Sequence, residues 1–192
     1  MKHILIINGH PDKESYNFAL SESYLKGAST TNATITQINI SDLKFNPNLK
    51  FGYRKRTELE PDLIHAIDKI KEADHIVWLF PIWWQAYPAV MKGFIDRVFL
   101  PGITFDFAEG SATPIKLLKG KTARVIITSD TPKWHDIFVL KRPVINQFKK
   151  GVLEYCGIGP VKITYISTIH DSTSEFREKW IKTIYKMGSK LK

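Results

Sequence analysis

The 192-residue chain contains one cysteine, Cys156, and that scarcity removes several functions at once. A single thiol cannot build an intrachain disulfide framework or a multi-cysteine metal site, and no metal is expected. Within Leu153-Glu154-Tyr155-Cys156-Gly157 no cationic neighbour or helix start lowers its pKa. It reads as a small buried hydrophobe rather than a redox thiol. Long hydrophobic runs are also missing, so no segment is expected to cross a bilayer. The apolar run at 4–7 is too short for a secretory signal, and Asn8-Gly9-His10 ends it at once. A cytoplasmic protein without stable membrane insertion is expected. No Pro/Gly/Ser-rich linker, internal repeat or low-complexity tract divides the chain. With 43% hydrophobic residues it can bury one core, which implies a single domain over residues 1–192.

Acidic residues are in deficit, leaving a formal charge of +9. Such a balance suits nucleic acid, an anionic membrane surface or an anionic small ligand. Lys182, Lys186 and Lys190 recur every fourth residue opposite an apolar helix face and read as a solvated stripe. The other basic cluster, Lys50-Phe51-Gly52-Tyr53-Arg54-Lys55-Arg56, carries two aromatics but no recognisable nucleic-acid motif. No nucleic-acid partner is expected.

Residues 3–8 (HILIIN) are continuously apolar, as in a strand buried on both faces. Residues 34–40 alternate and read as a half-buried strand. HIVWLF at 75–80, ARVIIT at 123–128 and VKITYIS at 161–167 complete five strands. Between them lie helices starting near Ser15, at Pro61 and at Pro88. A last helix carries Phe176, Trp180, Ile184, Met187 and Leu191 at helical spacing. This alternation calls for an α/β fold of three layers, a doubly wound parallel sheet with helices on both faces. Five strands suit the flavodoxin-like order 2-1-3-4-5, in which ligands bind beyond the carboxyl ends at the switch point between strands 1 and 3.

Three loops meet at that edge. The first, residues 9–17, holds His10, Ser15, Tyr16 and Asn17 at a helix start. Such a start is a natural phosphate site, and equally an ordinary N-cap. It lacks both GxGxxG and GxxxxGK(S/T). The second, Pro81-Ile82-Trp83-Trp84-Gln85-Ala86-Tyr87, concentrates aromatics that must pack on something. A core cap, a subunit interface or the wall of a flat ligand would each serve. The third, Thr128-Ser129-Asp130-Thr131-Pro132-Lys133-Trp134-His135-Asp136, suits polar contacts to a cofactor almost as well as a plain turn.

The stretches His10…Ser15-Tyr16-Asn17, Phe80-Pro81-Ile82-Trp83-Trp84, Pro88-Ala89-Val90-Met91-Lys92-Gly93-Phe94-Ile95-Asp96-Arg97-Val98-Phe99 and Tyr155-Cys156-Gly157 resemble the NAD(P)H:quinone oxidoreductase family of flavodoxin-like flavoproteins. The resemblance runs from Lys2 to about Gly157. It implies a flavin reductase that passes two electrons by hydride transfer from NADH or NADPH to quinone-type, azo or nitro aromatic acceptors. It implies that His10, Ser15, Tyr16 and Asn17 hold the flavin's phosphate region. By the same resemblance Pro81, Ile82, Trp83 and Trp84 run along the isoalloxazine, and Thr128, Ser129 and Asp130 meet its pyrimidine side. Phe105 and Phe107, with Trp134, would bind the acceptor, across a homodimer interface.

One departure bears on catalysis. Many relatives have Gly-Gly after the Thr-Thr pair and a Tyr and His further on. Here Asp130-Thr131-Pro132-Lys133-Trp134-His135 follows, and His135 or Asp130 is the candidate to take over charge stabilisation. The segment 44–60 resembles the FAD-using branch, with FMN as the alternative. A non-enzymatic flavin electron carrier and a regulatory subunit of an ion-efflux system share this fold. The basic balance argues against the carrier.

Overall fold

The computed structural model describes residues 1–192. In chain order the elements are β1 (His3–Asn8), α1 (Tyr16–Ala28), β2 (Thr34–Asn39), α2 (Pro61–Glu72), β3 (His75–Pro81) and α3 (Ala89–Val98). These are followed by β4 (Phe105–Phe107), β5 (Pro114–Lys116), β6 (Thr122–Ser129), α4 (Lys133–Phe138), α5 (Pro143–Asn146), β7 (Val161–Ser167) and α6 (Ser174–Gly188). α5 runs on into a π-helical stretch, Gln147–Glu154.

The main sheet is parallel throughout, in the order β2-β1-β3-β6-β7. Counting only its own strands, this is the expected order 2-1-3-4-5. The inner strands β1, β3 and β6 are buried almost end to end, as their unbroken apolar runs require. The edge strands β2 and β7 are only partly buried. Alternation along the strands sends side chains to two cores. Leu5, Ile7, Trp78, Phe80, Val125 and Ile127 meet Phe94 of α3 and Phe148 of the π-helical stretch. Ile4, Ile6, Val77, Leu79 and Ile126 meet Leu20 and Tyr24 of α1 and Ile184 of α6. Sheet and two helical faces make the three layers.

On the second face α1 and α6 touch backbone to backbone. A Cβ on Gly27 would lie 2.1 Å from the Tyr185 carbonyl oxygen, and one on Gly188 would lie 2.2 Å from the Tyr24 carbonyl oxygen. Only glycine permits that approach. On the first face the long segment 43–60 is held by a buried cation. The Arg97 guanidinium, 1% exposed, donates to the Asn46 and Glu58 carbonyls and pairs with Glu60 at 2.8 Å.

The structure also holds elements that the sequence reading passes over. β4 and β5 form a separate antiparallel hairpin between α3 and β6. The strand-end loop at 128–136 gives way to α4 from Lys133, and a helix fills 143–154. The last helix stops at Gly188, so Leu191 lies beyond it, at φ +49°. Cys156 is buried, and burial pushes its thiol pKa up, which fits a hydrophobic filler. No helix is long and apolar enough to cross a membrane.

Candidate functional site

A cleft of about 320 Å³ opens at the carboxyl ends of β1, β3 and β6. Its floor is tied together across the sheet. Asn8, the last residue of β1, accepts the His10 N–H at 3.1 Å through Oδ1. The Asn17 Nδ2, buried in the first turn of α1, donates to the Thr128 hydroxyl at 2.7 Å. The Ile82 N–H donates to the Thr128 carbonyl at 2.8 Å, joining the end of β3 to β6.

One end of the cleft gathers hydrogen-bond donors and positive charge. Ser15 caps α1, its hydroxyl accepting the Phe18 N–H at 3.3 Å. The N–H groups of Tyr16 and Asn17 have no partner within the chain, as expected at a helix start. His10 accepts the Asp12 N–H at Nδ1 over 3.0 Å, so its neutral form carries the proton on Nε2. Burial lowers the His10 pKa, while Asp12 opposes the shift. Arg177 of α6 closes this end. Its guanidinium donates to the Ser172 hydroxyl and Ile169 carbonyl, and sits 6.0 Å from the Tyr16 ring. The Tyr16 hydroxyl returns a bond to the Arg177 carbonyl at 2.9 Å. Burial pushes the Tyr16 pKa up to about 12 against the pull of Arg177. Free N–H groups, a guanidinium and an imidazole together make an anion site.

The other end is aromatic. Trp83 and Ala86 exchange backbone bonds of 2.8 and 2.9 Å around a two-residue turn, with Trp84 and Gln85 both left-handed at φ +50° and +55°. That turn favours glycine or asparagine, so this one is strained. It leaves the Trp84 and Gln85 N–H groups unpaired and Trp84 fully exposed. Trp83 packs edge-on against His10, with ring centroids 5.3 Å apart. On the third side the Asp130 carboxylate accepts the His170 N–H at 2.7 Å, and Ser129 Oγ accepts the Thr131 N–H at 3.1 Å.

Of the residues expected from sequence, His10, Tyr16, Asn17, Pro81, Ile82, Trp83, Thr128, Ser129 and Asp130 line this cleft together. Ser15 stands just outside as the cap of α1, and Trp84 stands at the tip of the turn. Ile169, His170 and Arg177 also line it and were not anticipated. A signal existed: Thr168-Ile169-His170-Asp171-Ser172-Thr173 is a polar segment at the carboxyl end of the fifth strand, the same sheet edge. The remaining expectations fall elsewhere. His135 and Trp134 lie on α4, stacked edge-on at 5.4 Å, and neither lines the cleft. Trp134 is largely exposed near the start of α4, whereas Asp136 on the same helix is buried. Phe105 and Phe107 line a different cavity of about 610 Å³, with Tyr87, Phe99, Val152 and Tyr155. It shares no lining residue with the cleft.

Residues 2–186 match the family described as Flavodoxin-like fold. The chain belongs to that family. This flavodoxin-like protein is 27% identical over 176 residues to an uncharacterised NAD(P)H oxidoreductase of Haemophilus influenzae, covering 88% of this chain and 85% of that one. It is 25% identical over 206 residues to the mouse ribosyldihydronicotinamide dehydrogenase [quinone], covering 93% and 86%. Among solved structures, an FMN-dependent NADH-azoreductase from Bacillus anthracis in complex with FMN shares the flavodoxin-like fold at a TM-score of 0.77. That pair is 23% identical and aligns over 100% and 99% of the two chains.

The flavodoxin-like cleft fits a flavin. Its anion end offers N–H groups with no partner, its aromatic end offers a flat wall with two more, and the buried Asn17 Oδ1 lacks a donor. An unmet buried acceptor in a polar cleft is a place for a ligand donor.

Proposed function

We propose that this protein is a flavin-dependent NAD(P)H oxidoreductase that reduces quinone-type acceptors, with azo and nitro aromatics as alternatives. One observation carries the reading: a single cleft joins the partnerless N–H groups of Tyr16 and Asn17 and the Arg177 guanidinium to the Trp83 wall. That is the polarity of a flavin, with phosphate at one end and a flat ring at the other. The oxidoreductase names of the curated relatives support it. When bound, the flavin supplies the redox chemistry, taking a hydride from NADH or NADPH and passing two electrons to the acceptor.

The chain's own residues bind and orient. His10, Tyr16 and Asn17 hold the phosphate region, with Ser15 fixing the helix that presents it. Pro81, Ile82, Trp83 and Trp84 line the ring, and the free N–H groups of the Trp84 turn face the developing negative charge. Thr128, Ser129 and Asp130 meet the pyrimidine side. The Asp130 carboxylate is the cleft's own candidate to meet the positive charge left on the donor's nicotinamide. His135 balances charge on the departing acceptor only if α4 approaches the cleft. FAD is the proposed flavin, on the likeness of segment 44–60 to the FAD-using branch; FMN is the alternative.

A homodimer is part of the proposal. Phe105 and Phe107 border a cavity apart from their own chain's cleft, so they serve an acceptor only if a second copy brings that cavity over it. Trp134, exposed on α4, is available to the same acceptor. The deciding experiment is the visible spectrum of the purified protein before and after NADPH without oxygen. Flavin bands that bleach support the reductase. Flavin bands that stay oxidised with both NADPH and NADH reject it, and so does a colourless protein that takes up neither FAD nor FMN.

A further inference from the structure

Four cations between Lys50 and Arg56 are left over by the fold and by the cleft. None of Lys50, Arg54, Lys55 or Arg56 is among the chain's ion pairs. A solvated loop would hold them loosely, but this segment is fastened at both flanks by one buried group. The Arg97 guanidinium donates to the Asn46 carbonyl before the cluster and to the Glu58 carbonyl after it. Gly93 on the same helix lets the chain lie directly on α3, since a Cβ there would stand 2.2 Å from Pro47 Cβ. Both flanks of the cluster are therefore fixed on α3.

The cluster lies next to the Phe105–Phe107 cavity. Lys55 and Arg56 border a recess of about 350 Å³ that also contains Tyr53, Pro101 and Gly102. Tyr53 and Pro101 border the 610 Å³ aromatic cavity too, so the two hollows lie side by side. Inside the aromatic cavity Phe105 meets Phe107 and Tyr155 edge-on at 5.8 and 5.2 Å, a cluster of rings suited to a flat guest. Its acid, Asp96, is neutralised by Lys92 at 2.6 Å. Lys55 rests its ammonium 5.2 Å from the Phe51 ring centroid, and neither it nor Arg56 is paired with a carboxylate. An aromatic floor beside two cations that no acid neutralises complements a flat ring bearing an anionic substituent.

We infer that the cavity of Phe105 and Phe107, with Lys55 and Arg56 at its rim, selects aromatic acceptors that carry a sulfonate or carboxylate. This rests on the reading of that cavity as the acceptor site and adds the charge class of the acceptor. Lys55 and Arg56 act here as specificity residues, through long-range attraction and rim contacts.

The test is equilibrium binding to the protein as purified, by calorimetry, of 2-naphthalenesulfonate against the neutral 2-naphthol. The parent protein is expected to prefer the sulfonate. Lys55→Gln with Arg56→Gln should weaken the sulfonate relative to the naphthol by about fivefold, the size of two exposed charge contacts. Lys182→Gln with Lys186→Gln removes the same net charge from α6 and should change that ratio less than twofold. Equal affinities in the parent overturn the inference, as does an equal effect of both double variants. A rim variant that raises the KM for NADPH without moving the sulfonate-to-naphthol ratio also overturns it, and assigns the cations to the donor's phosphates. Binding is read without turnover, so a protein that oxidises no nicotinamide would refute the reductase reading while this ratio still decides the inference.

Discussion

Asn17 and Thr128, 111 positions apart, are joined by a 2.7 Å bond from the buried Asn17 Nδ2 to the Thr128 hydroxyl. The bond fixes the start of α1, which presents the free N–H groups, against the end of β6, which forms the opposite lip of the cleft. Asn17→Ala removes it and leaves a buried hydroxyl short of a partner. A loss of about 1 kcal/mol in urea unfolding is expected. Flavin affinity should fall by about tenfold in an apoprotein titration, because the cleft loses both a contact and its alignment.

Asp130 and His135 are separable by kinetics. The Asp130 carboxylate holds the His170 N–H at 2.7 Å inside the cleft, whereas His135 stands on α4 outside it. Asp130→Ala should therefore loosen the third lip and lower kcat/KM by about fivefold, the scale of one exposed hydrogen bond. His135→Ala should change turnover by less than about twofold, the usual size for a residue that touches no reacting group. A large loss in His135→Ala would restore it to the catalytic scheme.

Arg97 is a buried cation with three acceptors around it. Arg97→Met leaves the Asn46 and Glu58 carbonyls without that donor and Glu60 without its counterion. A cost of about 3 kcal/mol is expected in denaturant unfolding, together with faster proteolysis within 47–57.

His75 predicts an acid limb. Its ring is largely buried at the start of β3, 2.7 Å from the Thr122 hydroxyl, and Arg124, Lys2 and Lys162 all repel a proton there. Burial, first, and those cations hold its pKa down at about 4, against 6.5 for a free histidine. Between those values the unfolded chain binds a proton that the folded chain refuses, so stability falls as the pH drops from 6.5 to 4. The loss reaches at most about 3 kcal/mol. Urea midpoints measured across that range should decline in the parent and decline less in His75→Gln.

Gln85 sits left-handed beside Trp84, and its side-chain oxygen is buried without a donor. Gln85→Gly keeps the turn's shape while removing both penalties. A gain of about 1 kcal/mol is expected by thermal unfolding.

The five long strands were legible because each is an apolar or alternating run, bounded by turn residues, and burial on two faces leaves no other pattern. Their order followed from the alternation with helices, since right-handed crossovers leave few topologies. The hairpin of β4 and β5 was not legible: three residues per strand carry no periodicity. Nor was the link from α4 to α5, where Lys141 and Arg142 take left-handed backbone without the glycine that usually announces it. The sequence by itself determined the sheet, and nine of the residues expected from its family resemblance line the cleft at the sheet's carboxyl edge. Only the tertiary structure decided that Arg177 and His170 complete that cleft, while His135, Phe105 and Phe107 do not. Which side chains share a hollow depends on how α4, α6 and the hairpin pack on the sheet. That packing is set by contacts between distant segments, such as Gly27 with Tyr185 and Arg97 with Glu60, which no local pattern records.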